Sequence, residues 1–99
     1  MDIHFELNGT HFVWNAKKAA GNSLKHDGVT FEQAAEVFFD PMFELVEAGR
    51  NDEARDALIG YDASGKLLFV VHIEVEGEYF RIISARRAAN EEKVHYEHS

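Results

Sequence analysis

Apolar and polar residues alternate at the start of the chain. Ile3, Phe5 and Leu7 are separated by polar residues, and Asn8-Gly9 follows them. Alternation of this kind is typical of a half-buried strand, and Asn-Gly is typical of a tight hairpin turn. Residues 11–14, which are mostly apolar, fit the partner strand. The pattern therefore predicts a small N-terminal hairpin.

A helical period replaces the alternation after residue 14. Asn15 is a plausible N-cap for a helix that runs to about His26, where Asp27-Gly28 ends it. The apolar stripe predicted for this helix consists of Ala16, Ala19, Ala20 and Leu24.

A second helix is predicted directly afterwards. Thr30 and Gln33 have the spacing of a capping box, and Pro41 ends the helix by Asp40. Its buried positions recur at i, i+3, i+4 and i+7, and they are Phe31, Ala34, Ala35 and Phe38.

Strand patterns dominate the rest of the chain. A short apolar strand at 43–46 precedes a polar loop at 47–53, and three further strands are predicted at 55–61, 67–74 and 78–86. The turns between the last three are short, so these strands form an antiparallel meander. The middle strand is apolar on both faces, which predicts a central strand covered at least in part on both sides. An acidic run after residue 87 predicts a C-terminal helix.

The predicted fold is α+β, with two N-terminal helices, an antiparallel meander and a C-terminal helix in a single domain of residues 1–99. The apolar content of 45% is enough for one core, and the chain has no cysteine. Disulfides and thiolate chemistry are thereby excluded. The N-terminus lacks the pattern of a secretion signal, and no apolar run could span a bilayer. We expect a soluble cytoplasmic protein without membrane contact.

The charge distribution indicates an anionic ligand at one place. The formal net charge is −8, which taken alone argues against nucleic-acid binding. An acidic surface also suits a basic protein partner. Three arginines nevertheless fall within the seven residues 81–87, with Ser84 among them. Arginine carries a rigid fork of donors that fits phosphate and carboxylate. The charges therefore allow either a nucleic acid or a basic protein as the partner.

Five blocks of sequence, read together, resemble the BrnT family of type II toxins. The blocks are Trp14–His26, Gly28–Pro41, Glu53–Gly60, Gly65–Val71 and Arg81–Ala88. The resemblance implies a compact RelE-like fold and a bacterial, metal-independent endoribonuclease that cleaves messenger RNA and inhibits translation. It also implies a BrnA-like ribbon-helix-helix antitoxin that carries the DNA binding, so that DNA is contacted only indirectly. A heterotetramer with the antitoxin is a further expectation.

Metal-independent RNA cleavage needs a base, an acid and cations that stabilise the charge developing on phosphorus. The candidates are Arg81, Arg86 and Arg55 as cations, Ser84 as a phosphate ligand, Lys25 or His26 in proton transfer, and Glu53 as a base. In a regular strand Arg81 faces away from Ser84 and Arg86, so either a bulge re-aims one of them or one face alone serves the site. The structural alternative for each arginine is a solvated side chain or a salt bridge to one of the many carboxylates.

Metal binding is the rival interpretation of the histidines. The six histidines are scattered, and only His95 and His98 have a helical spacing, so we expect neither a metal site nor a cofactor. His72, in the central strand, fits a core histidine better than a base. The rival to the enzyme is a catalytically weak module on the same fold that binds a ribbon-helix-helix repressor.

Overall fold

The computed structural model describes residues 1–48 and 55–98. Along these residues lie six strands and three helices: β1 (Asp2–Leu7), β2 (Thr10–Asn15), α1 (Ala16–Lys25), α2 (Phe31–Val37), β3 (Glu44–Glu47), β4 (Asp56–Tyr61), β5 (Leu67–Val75), β6 (Tyr79–Arg87) and α3 (Asn90–Glu97). The α+β class is confirmed. Glu53, the predicted base, lies outside the described residues.

The strands form one sheet in the order β1-β2-β6-β5-β4-β3. Strands β3 to β6 are antiparallel neighbours, so the predicted meander is confirmed. β2, however, pairs with β6 in parallel, Phe12 beside Phe80 and Val13 beside Arg81. The expectation of a wholly antiparallel sheet is therefore wrong. Helices and strands separate β2 from β6 in the chain, and this long connection lets the two run in the same direction.

The N-terminal hairpin is confirmed. Asn8 and Gly9 both have positive φ, 50° and 79°. Two positive φ values are the mark of a type I′ turn, whose twist matches the flanking strands. The turn thereby fixes the register in which Phe5 lies opposite Phe12 and Ile3 opposite Trp14.

One face of the sheet packs against α1 and α2 and forms the core; we call it the helix face. Phe12, Trp14, Leu68 and Val70 are buried there, and the ring of Trp14 meets Phe31 of α2 edge to face at 5.8 Å. The other face, which carries Val71 and Ile73 of β5, is called the outer face. Those two side chains are only half buried. The central strand is therefore covered fully on one side and partly on the other.

The apolar stripe predicted for α1 is wrong at its C-terminal end. Leu24 is 89% exposed, and Asn22 is buried instead. The reason lies in β6, whose pairing with β2 involves Phe80 and Arg81. Further along β6, the Asn22 side chain takes the place of a strand: its Oδ1 accepts from Ala85 N (3.0 Å), and its Nδ2 donates to Ala85 O (2.7 Å). A buried backbone needs such partners, so a polar residue occupies this position of the helix.

The ends of α2 show one agreement and one difference. The capping box is present, since Thr30 Oγ1 accepts from Gln33 N and Gln33 Oε1 accepts from Thr30 N. The helix ends at Val37, three residues earlier than predicted. Phe39 N and Asp40 N bond to carbonyls three residues back, which tightens the chain into turns before Pro41.

Replacing Asn22 by alanine should destabilise the protein by about 2 kcal/mol or more, because it leaves the buried Ala85 N–H and C=O unpaired. Urea denaturation followed by the fluorescence of Trp14, the single tryptophan, measures this. Ser23→Ala is the matched control. The Ser23 hydroxyl donates to Val29 O, which Asn22 also contacts, so its loss orphans nothing. Equal effects of the two substitutions would contradict the proposed role of Asn22.

Candidate functional site

A bulge in β6 determines where the predicted site residues point. Val71 lies opposite Ser84, whereas the next residue, His72, lies opposite Ile82. Ile83 is thus an extra residue in β6, and it shifts the alternation by one. As a result Arg81, Ser84 and Arg86 all lie on the outer face, beside Ile73, Val71 and Phe69 respectively. The bulge alternative left open by the sequence is the one that the structure adopts.

The two arginines flank Ser84. Each lies about two strand residues from it, which is roughly 7 Å along the strand. Arg87, the third arginine of the segment, pairs with Leu68 and belongs to the helix face.

Arg81 is held by the N-terminal strand. Its Nη2 lies 2.9 Å from Asp2 Oδ2, and Nη1 lies 3.4 Å from Oδ1. The hydrogen bond to Asp2 raises the pKa of Arg81, and the same bond lowers the pKa of the Asp2 carboxyl. Both side chains are partly open to solvent. Arg81 therefore corresponds to the ion-paired alternative, and its part in catalysis stays a prediction.

Arg86 is held by the C-terminal helix. Its Nη1 and Nη2 donate to the two carboxylate oxygens of Glu92 at 2.7 and 2.6 Å, and its guanidinium lies 4.3 Å from the centre of the Phe69 ring. Burial alone would raise the pKa of Glu92, but the hydrogen bonds from Arg86 and Ala89 N outweigh it and lower that pKa. The pair attaches α3 to the outer face. A catalytic role of Arg86 is likewise still a prediction.

A cavity of about 310 Å³ lies beside Ser84. We call it the cationic cavity, and its lining consists of Lys18, Gly21, Asn22, Lys25, His26, Ile83 and Ser84. The charged side chains of this lining are all basic, although the chain as a whole carries −8. The structure thus brings together three of the predicted site residues, Lys25, His26 and Ser84.

Local structure explains why these residues meet. Lys18, Asn22 and Lys25 follow one another at helical spacing, so they share one side of α1. The two hydrogen bonds between the Asn22 side chain and the Ala85 backbone, which we call the clamp, hold that side of α1 beside the bulge. His26 caps the helix, its N–H donating to Asn22 O, and the chain then turns away through positive φ at Asp27.

The remaining candidates are not part of this cavity. Arg55 directly precedes β4, and its carbonyl accepts from Ala48 N at 3.3 Å. His72 is buried on the helix face, where its ring meets Phe38 edge to face at 4.9 Å. Burial lowers the pKa of His72, which favours the neutral ring expected of a core histidine. In residues 1–48 and 55–98, no three His, Asp or Glu side chains are grouped as a metal would require.

Sequence reasoning missed Lys18 and Asn22. The signal that could have identified them is the polar spacing i, i+4, i+7 that they form with Lys25. The apolar stripe of the same helix is the stronger pattern.

Among the described helices, none has the length and apolar content needed to cross a membrane.

Fold and cavity together define a class: a small α+β domain with a cationic cavity between a helix and a bulged strand, suited to binding an anion. The chain belongs to the family of the ribonuclease toxin BrnT of type II toxin–antitoxin systems, whose sequence model matches residues 14–92. That range contains the entire lining of the cationic cavity. None of the curated proteins compared with the chain matches it.

The attachment of α3 should depend on pH. Because the pKa of Glu92 is lowered in the folded state, its ion pair contributes stability that is fully present above the ordinary glutamate pKa of 4.5 and is lost as the pH falls through the folded-state value. Glu92→Gln should therefore destabilise the protein at pH 7 by on the order of 1 kcal/mol, and the difference from the wild type should be smaller at pH 3 than at pH 7.

Denaturant titrations of both proteins at the two pH values test this. Glu91→Gln, an exposed neighbour in the first turn of α3, is the control. A difference between wild type and Glu92→Gln that persists undiminished at the lower pH would contradict the assignment.

Proposed function

We propose that the protein is the toxin of a type II toxin–antitoxin pair and a metal-independent endoribonuclease that cleaves messenger RNA and so inhibits translation. The family supplies the class, a ribonuclease toxin. The observation that carries the proposal is the cationic cavity, since it gathers basic side chains and a hydroxyl on an acidic molecule. We further infer a RelE-like architecture and a cytoplasmic site of action.

The cavity residues match the needs of the reaction. Lys18 and Lys25 supply positive charge for the phosphate, and the Ser84 hydroxyl donates a hydrogen bond to it. His26 supplies the imidazole of the lining and serves as the base for the 2′-hydroxyl. Arg81 and Arg86 extend the binding surface along the outer face, with Arg55 and Glu53 as further candidates from the preceding segment.

The partner we propose is a BrnA-like ribbon-helix-helix antitoxin. A DNA-binding antitoxin has a basic surface, and the net charge of −8 complements it. DNA is then reached only through this partner, in a heterotetramer of toxin and antitoxin.

A second function has one observation in its favour. Arg81 and Arg86 each have an acid of their own, so neither presents an unpaired guanidinium to RNA. This favours a catalytically weak module on the same fold whose role is to bind the repressor.

Cleavage of RNA in the presence of a chelator tests the first proposal. The wild type should cleave a structured messenger RNA, and Lys25→Ala and His26→Ala should each reduce the rate by about 100-fold, within the range of a lost charge-stabilising or proton-transfer group. Lys17→Ala is the matched control, because Lys17 is an exposed lysine of α1 outside the cavity lining. A wild-type protein that cleaves no RNA, or one that cleaves only with added metal, would overturn the proposal.

Growth assays separate the two functions. Induced expression of the wild type should arrest growth, and Arg86→Ala should weaken the arrest if Arg86 contributes to cleavage. Arrest of equal strength with and without Arg86 removes that residue from the catalytic set. Absence of arrest by the wild type, together with tight binding to the antitoxin, supports the binding module.

A further inference from the structure

Arg87 differs from the other two arginines of β6. Arg81 and Arg86 are each ion-paired with a carboxylate. Arg87 is exposed, and among residues 1–48 and 55–98 its guanidinium has no hydrogen-bond or ion-pair partner. An anion that reaches Arg87 therefore displaces no carboxylate, and it meets the fork of donors that fits phosphate. Of these three arginines, Arg87 is the one that a ligand can bind without breaking an ion pair.

A cavity of about 360 Å³ lies beside Arg87, where β6 passes into α3. We call it the junction cavity, and its lining consists of Tyr61, Gly65, Leu67, Arg87, Ala88, Asn90 and Lys93. The two charged side chains of this lining are both basic. Lys93, like Arg87, is exposed and has no carboxylate partner within the described part of the chain. Two unpaired cations thus border one cavity, on a molecule whose net charge is −8.

The junction cavity lies at the end of the sheet, so residues of both faces border it. Leu67 precedes Leu68 of the helix face, so Leu67 and its partner Tyr61 belong to the outer face. Arg87 is the last residue of β6 and comes from the helix face. The cavity is therefore open to a ligand that passes over the end of β6.

The two basic cavities lie along one strand. Ser84 borders the cationic cavity and Arg87 borders the junction cavity, three residues further on. This separation is roughly 10 Å along the strand. A short stretch of single-stranded RNA spans such a distance, so RNA with its reacting phosphate at Ser84 can place another of its phosphates at Arg87.

Tyr61 adds an aromatic surface to the junction cavity. It is 38% exposed, and its ring meets that of Tyr96 edge to face, with the centres 5.4 Å apart. This contact fixes the orientation of the ring and leaves part of it open. A nucleobase of any kind can stack on an exposed aromatic ring, and cations beside such a ring are the combination that binds single-stranded nucleic acid.

The charge of the junction cavity favours RNA over the protein partner as its ligand. The proposed antitoxin has a basic surface, which Arg87 and Lys93 repel. RNA, in contrast, carries a phosphate for each nucleotide, and binding it releases the counterions held by those phosphates.

We propose that the junction cavity is a second phosphate subsite of the ribonuclease, an inference that rests on the proposed function. It holds a phosphate of the same RNA strand outside the bond that is cleaved. Arg87 and Lys93 bind this phosphate, and Tyr61 stacks on an adjoining base. No bond forms or breaks there. The subsite tightens the binding of RNA that is long enough to reach it.

Substrate length tests the subsite. A dinucleotide has the scissile phosphate alone, whereas an RNA of about ten nucleotides reaches both cavities. Arg87→Gln and Lys93→Gln should each lower kcat/KM for the longer RNA by about 10-fold, mainly through KM, because each removes one charge-assisted contact to phosphate. The kcat/KM for the dinucleotide should stay unchanged. Lys17→Gln, an equal change of charge at an exposed lysine outside both linings, is the control.

Binding without cleavage gives an independent measurement. A single-stranded oligonucleotide of the same length with 2′-deoxy sugars cannot be cleaved, and fluorescence anisotropy gives its affinity at several salt concentrations. Arg87→Gln and Lys93→Gln should each reduce the slope of log affinity against log salt by about 0.7, the contribution of one phosphate contact in a single strand. Lys17→Gln should keep the wild-type slope. Both tested side chains are exposed and unpaired, so the variants should melt at the wild-type temperature.

The outcomes separate this inference from the proposed function. If the wild type cleaves RNA and neither variant changes the KM of the longer RNA or the salt slope, the junction cavity is no subsite and the proposed function survives. An equal loss of kcat/KM for the dinucleotide and the longer RNA would also overturn the inference. So would weaker antitoxin binding with unchanged RNA binding, because the cavity would then be a protein contact. A wild type that cleaves no RNA overturns the proposed function and this inference with it.

Discussion

The clamp between Asn22 and the backbone of Ala85 is the interaction on which the site depends. The amide oxygen of Asn22 accepts from the Ala85 N–H at 3.0 Å, and its nitrogen donates to the Ala85 C=O at 2.7 Å. The clamp joins α1 to β6 just past the bulge at Ile83, where the register has shifted. Because of that shift, Arg81 and Ser84 share a face. Because of the clamp, Lys18 and Lys25 of α1 line a cavity together with Ser84. One buried polar residue, Asn22, thus fixes the position of α1 relative to the bulged part of β6.

Positive charge is held in two different ways in the candidate site. Two arginines of β6 are paired, Arg81 with Asp2 and Arg86 with Glu92, so their charge is largely balanced within the protein. In the cationic cavity the lining contains no carboxylate. A phosphate entering the cavity gains charge stabilisation without breaking an ion pair, whereas one binding to Arg81 or Arg86 must compete with a carboxylate. Under the proposed function we therefore expect an anion to bind first at the lysines, rather than at the paired arginines that dominate the sequence pattern.

The sequence was most informative where the signal is local. The Asn8-Gly9 turn, the capping box of Thr30 and the meander follow from neighbouring residues, and each was predicted correctly. The parallel pairing of β2 with β6 was not predictable in this way, since it joins residues nearly seventy positions apart. The bulge was foreseen only as one of two alternatives, because no glycine marks it. Asn22 was missed since its partner is a backbone group, which leaves no trace in the sequence.

The ion pairs of the candidate site were likewise not predictable from the sequence. Eighteen acidic residues offer many partners for each arginine, and pattern alone cannot choose Asp2 and Glu92 among them. Glu92 is selected by tertiary structure: none of the residues Asn90–Glu97 is buried, so α3 is attached mainly by polar contacts. Besides Arg86–Glu92 these include the bond from the Tyr96 hydroxyl to Asp40, where burial and the Asp40 carboxylate raise the pKa of Tyr96 to about 12. A helix attached in this way requires Arg86 as its anchor. While both Nη atoms of Arg86 bond to Glu92, they cannot also bind a phosphate. Any role of Arg86 toward RNA would therefore require the ion pair with Glu92 to break, whereas Ser84, Lys25 and His26 belong to no ion pair with α3.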